Sequence, residues 1–225
     1  MTQPIFIKTD AISSRLESLL FQYAERKSIT PLSDSFNADT ITECPRRLVY
    51  RSSGGVTSSN ADKFLKDRSA VFCNNKWKEY LSECKSIRFI DANLSVADCN
   101  YNIVSSVDVV LRIDENIYAV KIEPLDDASY QGIQETGALK KHVVAVMVEM
   151  WLAEINNGLL IYENKNNNKF VVFHIEPYSP MIKSIANKCA MMFDCKISGK
   201  LPAKPYKEKN SNECSACEFV DKCWV

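Results

Sequence analysis

Three cysteines, Cys214, Cys217 and Cys223, stand at C-x2-C-x5-C spacing near the C-terminus. Thiols this close in sequence suit a soft metal centre, and a fourth ligand would complete it. Cys44, in Glu43-Cys44-Pro45-Arg46-Arg47-Leu48-Val49-Tyr50, is the best candidate. Four thiolates hold either a tetrahedral zinc ion or an iron–sulfur cluster, and spacing alone does not choose between them. In both cases protein ligands close the coordination, so the expected role is structural. The site would join positions ~170 residues apart and remove loop-closure freedom, by analogy with a disulfide. The other five cysteines, Cys73, Cys84, Cys99, Cys189 and Cys195, have no mutual metal-ligand spacing and are expected to be small buried apolar residues.

Composition bounds what surrounds that centre. At 225 residues the chain fits one domain with an ordinary core, with 46% hydrophobic and 25% charged residues. Its 28 acids balance 28 bases. Bulk charge therefore does not mark a nucleic-acid binder, although a local basic groove is compatible with it. There is no apolar run long enough for a membrane helix and no signal-peptide pattern at Met1-Thr2-Gln3-Pro4, so an intracellular, cytoplasmic protein is expected. In a reducing compartment nine cysteines argue for metal ligation or burial rather than disulfides.

The elements that must position the cysteines follow from periodicity. Ile12, Leu16, Leu19, Leu20 and Tyr23 predict an amphipathic helix over 10–26. A polar stretch, 28–42, leads to a short helix opened by Pro45. A long helix is expected from Asn60 to Lys85, with Phe64, Val71, Phe72, Trp77 and Leu81 as its apolar surface. The period then changes: 87–96, 102–113 and 117–124 read as strands, the last two joined as a hairpin by Asp114-Glu115-Asn116. Residues 129–137 read as a loop or helix start, and 138–155 as a deeply buried helix ended by Asn157-Gly158. A strand pair, 159–162 and 170–175, precedes a helix from Ser179-Pro180 to just before Gly199, then a proline-punctuated tail. The pattern gives a mixed sheet sandwiched by helices.

The order of a Cys-Pro-Arg-Arg-x-x-Tyr motif, an aspartate strand, a buried helix, a Gly-x-Leu-x-Tyr strand and a terminal C-x2-C-x5-C resembles one family. It is similar to the RecB-type nucleases of the PD-(D/E)XK superfamily that carry an iron–sulfur cluster, the CRISPR-associated RecB-like exonucleases and their phage-encoded relatives. The resemblance covers residues 40–225. It implies an α/β (α+β), restriction-endonuclease-like mixed sheet flanked by helices, with a helical iron–sulfur region joining the two ends. In this single domain, 1–225, residues 1–85 form a mostly helical part with the first cluster cysteine. Residues 86–177 form the core sheet and buried helix, and 178–225 the C-terminal helix and cysteine segment. The resemblance further implies a [4Fe–4S] cluster on Cys44, Cys214, Cys217 and Cys223, with zinc as the alternative. Arg46 and Arg47 match the family's phosphate-facing arginines, whose forks suit phosphate oxygens, with a solvated helix surface as the plainer reading. DNA, as single strands or ends, is the implied partner, alongside a protein partner or second copy, in a phage-encoded setting within a bacterial host.

The family's chemistry requires Mg2+ or Mn2+ on two carboxylates with a lysine near the attacking water. Asp108 matches the first carboxylate, with Ser105 where glycine is usual. The partner strand should read acid–x–lysine and reads Lys121-Ile122-Glu123, the reverse order. Taking Lys121 as the family lysine puts Ala119 at the acid's place. Taking Lys121 at the acid position leaves Glu123 about 6.5–7 Å further along the strand. The family's helix histidine is missing, with Cys73 or Asn74 at its place, and Ala145 and Glu149 stand where Gln-x-x-x-Tyr is usual. His142 and His174 are expected to be solvated or satisfied in the core. These departures imply a retained fold with a decayed centre, in which a buried Lys121–Asp108 ion pair replaces the metal. The alternatives are an exonuclease carried by Asp108, Lys121 and Glu123 with Mg2+ or Mn2+, and a protein-interaction module.

Overall fold

A computed structural model of the protein describes residues 34–54 and 61–224, together with Arg15, Leu16, residues 18–20 and Gln22. The strands are β1 (Phe36–Asn37), β2 (Arg88–Asp98), β3 (Ile103–Ile113), β4 (Asn116–Leu125), β5 (Gly158–Asn164) and β6 (Phe170–Ile175). The helices are α1 (Pro45–Ser52), α2 (Ala61–Glu83), α3 (Asp127–Thr136), α4 (Lys140–Leu152), α5 (Ser179–Ile197), α6 (Asn212–Ser215) and α7 (Val220–Cys223), with a 3-10 turn at Ala38–Thr40. The helix expected over 10–26 lies largely outside the described residues; the few described there are helical.

The described strands form one mixed sheet in the order β1-β3-β4-β5-β6, with β2 also on β3. The β3–β4 hairpin forms where expected: Ile113 pairs with Asn116, and Asp114 takes φ 53, a left-handed value that aspartate tolerates. β4 and β5 run parallel, joined through α3 and α4. The segment left open between loop and helix is α3, started by Asp126, whose side chain accepts the Ser129 N–H at 2.8 Å.

Two helices cover the two faces of this α/β fold. α4 is buried because it is apolar on more than one side. Val146 and Met150 pack on the sheet with Val107, Val110, Ala119 and Leu160, while Val144 and Val148 join Leu48, Val49, Ile185 and Met192 of α1 and α5. Gly158 permits the first contact: a Cβ there would meet Met150 Sδ and Val146 Cγ1 at 2.6 Å. α2 covers the opposite face with a stripe of spacing four, Cys73, Trp77 and Leu81, against Val109, Leu111, Val120, Ile122 and Ile161. This corrects the sequence reading, since Val71 and Phe72 point to solvent. Glu163, 1% exposed, fixes that helix: it accepts from Lys76, from the Trp77 indole and from Cys73 Sγ at 3.0 Å. The lone-cysteine expectation divides likewise. Cys73 and Cys189 are buried, whereas Cys84 and Cys99 are exposed. Among the described residues no helix is long and apolar enough to cross a membrane.

Candidate functional site

The sheet divides along β3, and the division builds the first site. The start of β3, Ile103 and Val104, pairs with β1, whereas Val109–Ile113 pair with β4. Between them the β3–β4 ladder opens at Asp108. The Ile122 N–H, without a strand partner on β3, is taken by Asp108 Oδ2 at 2.8 Å, and Asn74 Nδ2 donates to Asp108 Oδ1 at 3.2 Å. Asn74 is thus one of the two residues expected at the place of the missing histidine, here bonded to the aspartate.

Into the fork between β1 and β4 the 3-10 turn brings Asp39, and α4 brings Glu149. Lys121 Nζ lies 2.6 Å from Asp39 Oδ1 and 3.0 Å from Glu149 Oε1. Ser105 Oγ donates to the same Glu149 oxygen at 3.2 Å. Lys121 is 5% exposed and Glu149 0%, while the Asp39 side chain is 55% exposed and opens the cluster to solvent. The expected Lys121–Asp108 ion pair is therefore corrected. Lys121 pairs with Asp39 and Glu149, because both Asp108 oxygens already accept N–H bonds. Asp39 was missed by the sequence reading, and Glu149 was noted as a position without a role.

Glu123 lies on the same face of β4 as Lys121, with its Oε2 3.7 Å from His142 Nε2. His142 Nδ1 is 2.9 Å from the Tyr162 hydroxyl, which also accepts the Leu139 N–H at 3.1 Å. His142 is thus satisfied in the core, and His174 is exposed with its ring near Tyr118.

One ammonium faces four carboxylates here, and burial dominates their titration. Burial pushes Glu149 and Glu123 up to about 7, against the opposing charge of Lys121. Burial also raises Asp108, again opposed by Lys121. For Lys121 burial pulls downward, but Glu149, Asp39 and Asp108 together outweigh it and hold the ammonium well above the usual lysine range. His142 is pushed down to about 4 by burial, with Lys141 and Lys121 adding to the effect. Glu149 Oε2 is buried without a hydrogen-bond partner.

The second site lies where the two ends of the described chain meet. Cys44 caps α1, Cys214 lies in α6, Cys217 follows it, and Cys223 ends α7. All four line one pocket, together with Arg46, Arg47, Tyr50, Phe219 and Trp224. Around it ion pairs and a ring stack clasp α1 to the C-terminal segment. Arg47 reaches Glu43 at 3.2 Å and Glu218 at 2.6 Å, and Arg51 reaches the same two carboxylates at 2.8 and 2.7 Å. The Tyr50 ring stacks on Phe219 at 5.2 Å between centroids. The Arg47 fork is thus engaged by carboxylates in this arrangement.

Does the pocket fit a four-thiolate centre? Among the described residues no three His, Cys, Asp or Glu side chains are grouped so that they could hold a single metal ion. A cluster asks something different: each thiolate binds its own iron, so the sulfurs stand around a cavity rather than at one point. The polar lining fits such an occupant. Arg46 Nε, Arg47 Nε and Trp224 Nε1 are buried with no hydrogen-bond partner. Each such orphan costs about 1–3 kcal/mol unless an acceptor is supplied.

No family model matches the chain, and no curated protein matches it. Solved structures do. SSO0001 aligns with a TM-score of 0.55 at 14% identity, covering 93% of this chain and 96% of that one. LHK-Exo in complex with dAMP aligns with a TM-score of 0.58 at 12% identity, covering 81% and 93%. A second structure of that protein, an alkaline exonuclease from Laribacter hongkongensis, gives 0.54 at 9% identity, covering 79% and 93%. At these identities the likeness concerns the fold alone: the mixed sheet and its flanking helices are arranged as in these structures.

Proposed function

We propose that this chain is an iron–sulfur protein on the RecB-like nuclease fold, catalytically inactive, that acts by binding DNA or as a scaffold subunit. The observation that carries the loss of catalysis is the position of Lys121 Nζ, between Asp39 and Glu149 at 2.6 and 3.0 Å. A catalytic Mg2+ or Mn2+ needs carboxylate oxygens free to approach to about 2.1 Å. Here Asp39 Oδ1 and Glu149 Oε1 face an ammonium, and both oxygens of Asp108 face N–H donors. Ala119 is fully buried against the α4 side of the sheet, so the acid position of the usual motif holds no ligand.

Four cysteines around one pocket with three orphaned N–H donors support the cluster on Cys44, Cys214, Cys217 and Cys223. When bound, such a group would tie α1 to the C-terminal segment through iron–thiolate bonds. Anaerobically purified protein is expected to be brown, with a broad band at roughly 400 nm and iron rather than zinc on analysis. A colourless, zinc-loaded protein would remove the cluster from this reading. Binding to a single-stranded oligonucleotide that weakens steeply with salt would assign the DNA role. Absence of binding at low salt would leave the scaffold role.

A second reading, an active exonuclease, has one specific observation behind it. Glu149 presents a buried, unpartnered Oε2 beside Lys121, so α4 could supply the acid that Ala119 lacks. In that case Asp108, Glu149 and Lys121 would all be required for Mn2+-dependent cleavage.

A further inference from the structure

We propose that Arg46, Arg47 and Trp224 donate N–H hydrogen bonds to the sulfur atoms of the cluster and favour its reduced form; this rests on the cluster reading above. Six side-chain polar atoms among the described residues are buried without a partner, and three of them belong to residues lining the cysteine pocket. The others, on Asn74, Arg112 and Glu149, lie elsewhere in the chain. That concentration calls for an acceptor inside the pocket. The lining includes two oxygen acceptors, the Glu213 carboxylate and the Tyr206 hydroxyl, and neither takes any of the three N–H groups; Tyr50, Phe219 and Val220 make the rest of that wall aromatic or aliphatic.

Two of the three donors are in contact with other side chains. Arg47 is fixed through its other nitrogens to Glu43 and Glu218, which leaves Nε as its unused donor. The Trp224 ring carries the Lys204 ammonium over its face, 4.2 Å from the centroid, while Nε1 stays buried. Arg46 makes no ion pair among the described residues, so its charge is not neutralised by a carboxylate in contact. Thiolate and sulfide are electron-rich acceptors, and their hydrogen bonds and local charge set a cluster's reduction potential. A donor aimed at sulfur stabilises the added electron more than the oxidised state, so its removal lowers the potential.

The test uses the full chain, purified anaerobically, with two variants. Trp224→Phe keeps an aromatic ring, though a smaller one, and removes the N–H; Arg46→Met keeps much of the stem and removes the charge. The wild-type spectrum and iron content come first, and a protein without iron overturns the underlying reading and this inference together. With the cluster present, redox titration is expected to show the reduced state disfavoured by about three- to tenfold in each variant, the scale of one hydrogen bond. Proton hyperfine spectra of the dithionite-reduced wild type should also show an exchangeable proton that disappears in D2O and is missing in Trp224→Phe. The wild-type exchange measurement stands even where a variant fails to load iron. Cluster-loaded variants with unchanged potential, together with no exchangeable coupling in the wild type, would overturn the proposal while leaving the cluster intact.

Discussion

Replacing Lys121 by methionine is expected to destabilise the protein by about 3–5 kcal/mol at neutral pH, because it leaves buried carboxylates without their cation. Glu149 would lose the 3.0 Å contact at Oε1 while Oε2 already has no partner, and Asp39 would lose its 2.6 Å contact. The loss should depend on pH in a defined direction. Glu149 and Glu123 are raised from an ordinary 4.5 to about 7. Between those values the folded chain keeps protons that the unfolded chain has released, so these two groups make stability fall as pH rises through that window. His142 opposes them. Depressed from 6.5 to about 4, it is neutral when folded where the unfolded chain binds a proton, so its contribution is lost as pH falls below 6.5. Lys121 lowers the two glutamates and also lowers His142. Its removal strengthens the first trend and weakens the second. Urea unfolding should therefore show a larger deficit for Lys121→Met at pH 8 than at pH 5. A variant as stable as the parent at both values would mean that the carboxylates do not depend on this ammonium.

Substitution of Cys214 by alanine is the second change with a large expected effect. It should abolish the visible band and lower Tm by on the order of 10 °C, taking closure of a ~170-residue loop as worth about 5 kcal/mol. The stabilisation is lost together with the group, since metal binding and folding are coupled in such sites. Local unravelling should be limited. The Arg47 and Arg51 contacts to Glu218 and the Tyr50–Phe219 stack also hold α1 to the C-terminal segment, and none of them uses Cys214. Limited proteolysis should thus cut first after residue 200, with the sheet still intact. The exposed Cys84 provides the control: Cys84→Ser should change neither the band nor Tm.

How much of this was legible in the chain depends on the range of the interactions involved. The β3–β4 hairpin was legible because alternation and a polar turn are local signals, and α4 because an apolar helix must be buried. The face of α2 was not, because Phe72 and Val71 carry hydrophobicity while the buried Glu163 decides which side of the helix meets the sheet. β1 has only two residues, too few to show a period, and with it the 3-10 turn and Asp39 escaped notice. The partner of Lys121 was misjudged for a related reason. Strand alternation puts Asp108 opposite it, but the ladder opens there and both carboxylate oxygens turn to Ile122 and Asn74. The terminal thiols were legible by spacing. Cys44, far off in sequence, could be joined to them only through the Cys-Pro-Arg-Arg resemblance, and it does line their pocket.

The most direct measurement of whether an ammonium has taken the metal's place is a cleavage assay on anaerobically purified protein. End-labelled single- and double-stranded DNA would be incubated with Mg2+ or Mn2+, beside Asp108→Ala and Glu149→Gln variants. The predicted result is that both substrates remain intact with the wild type and with both variants. Metal-dependent cleavage by the wild type that disappears in Asp108→Ala would contradict an inactive centre, and its loss in Glu149→Gln as well would identify α4 as the source of the second acid.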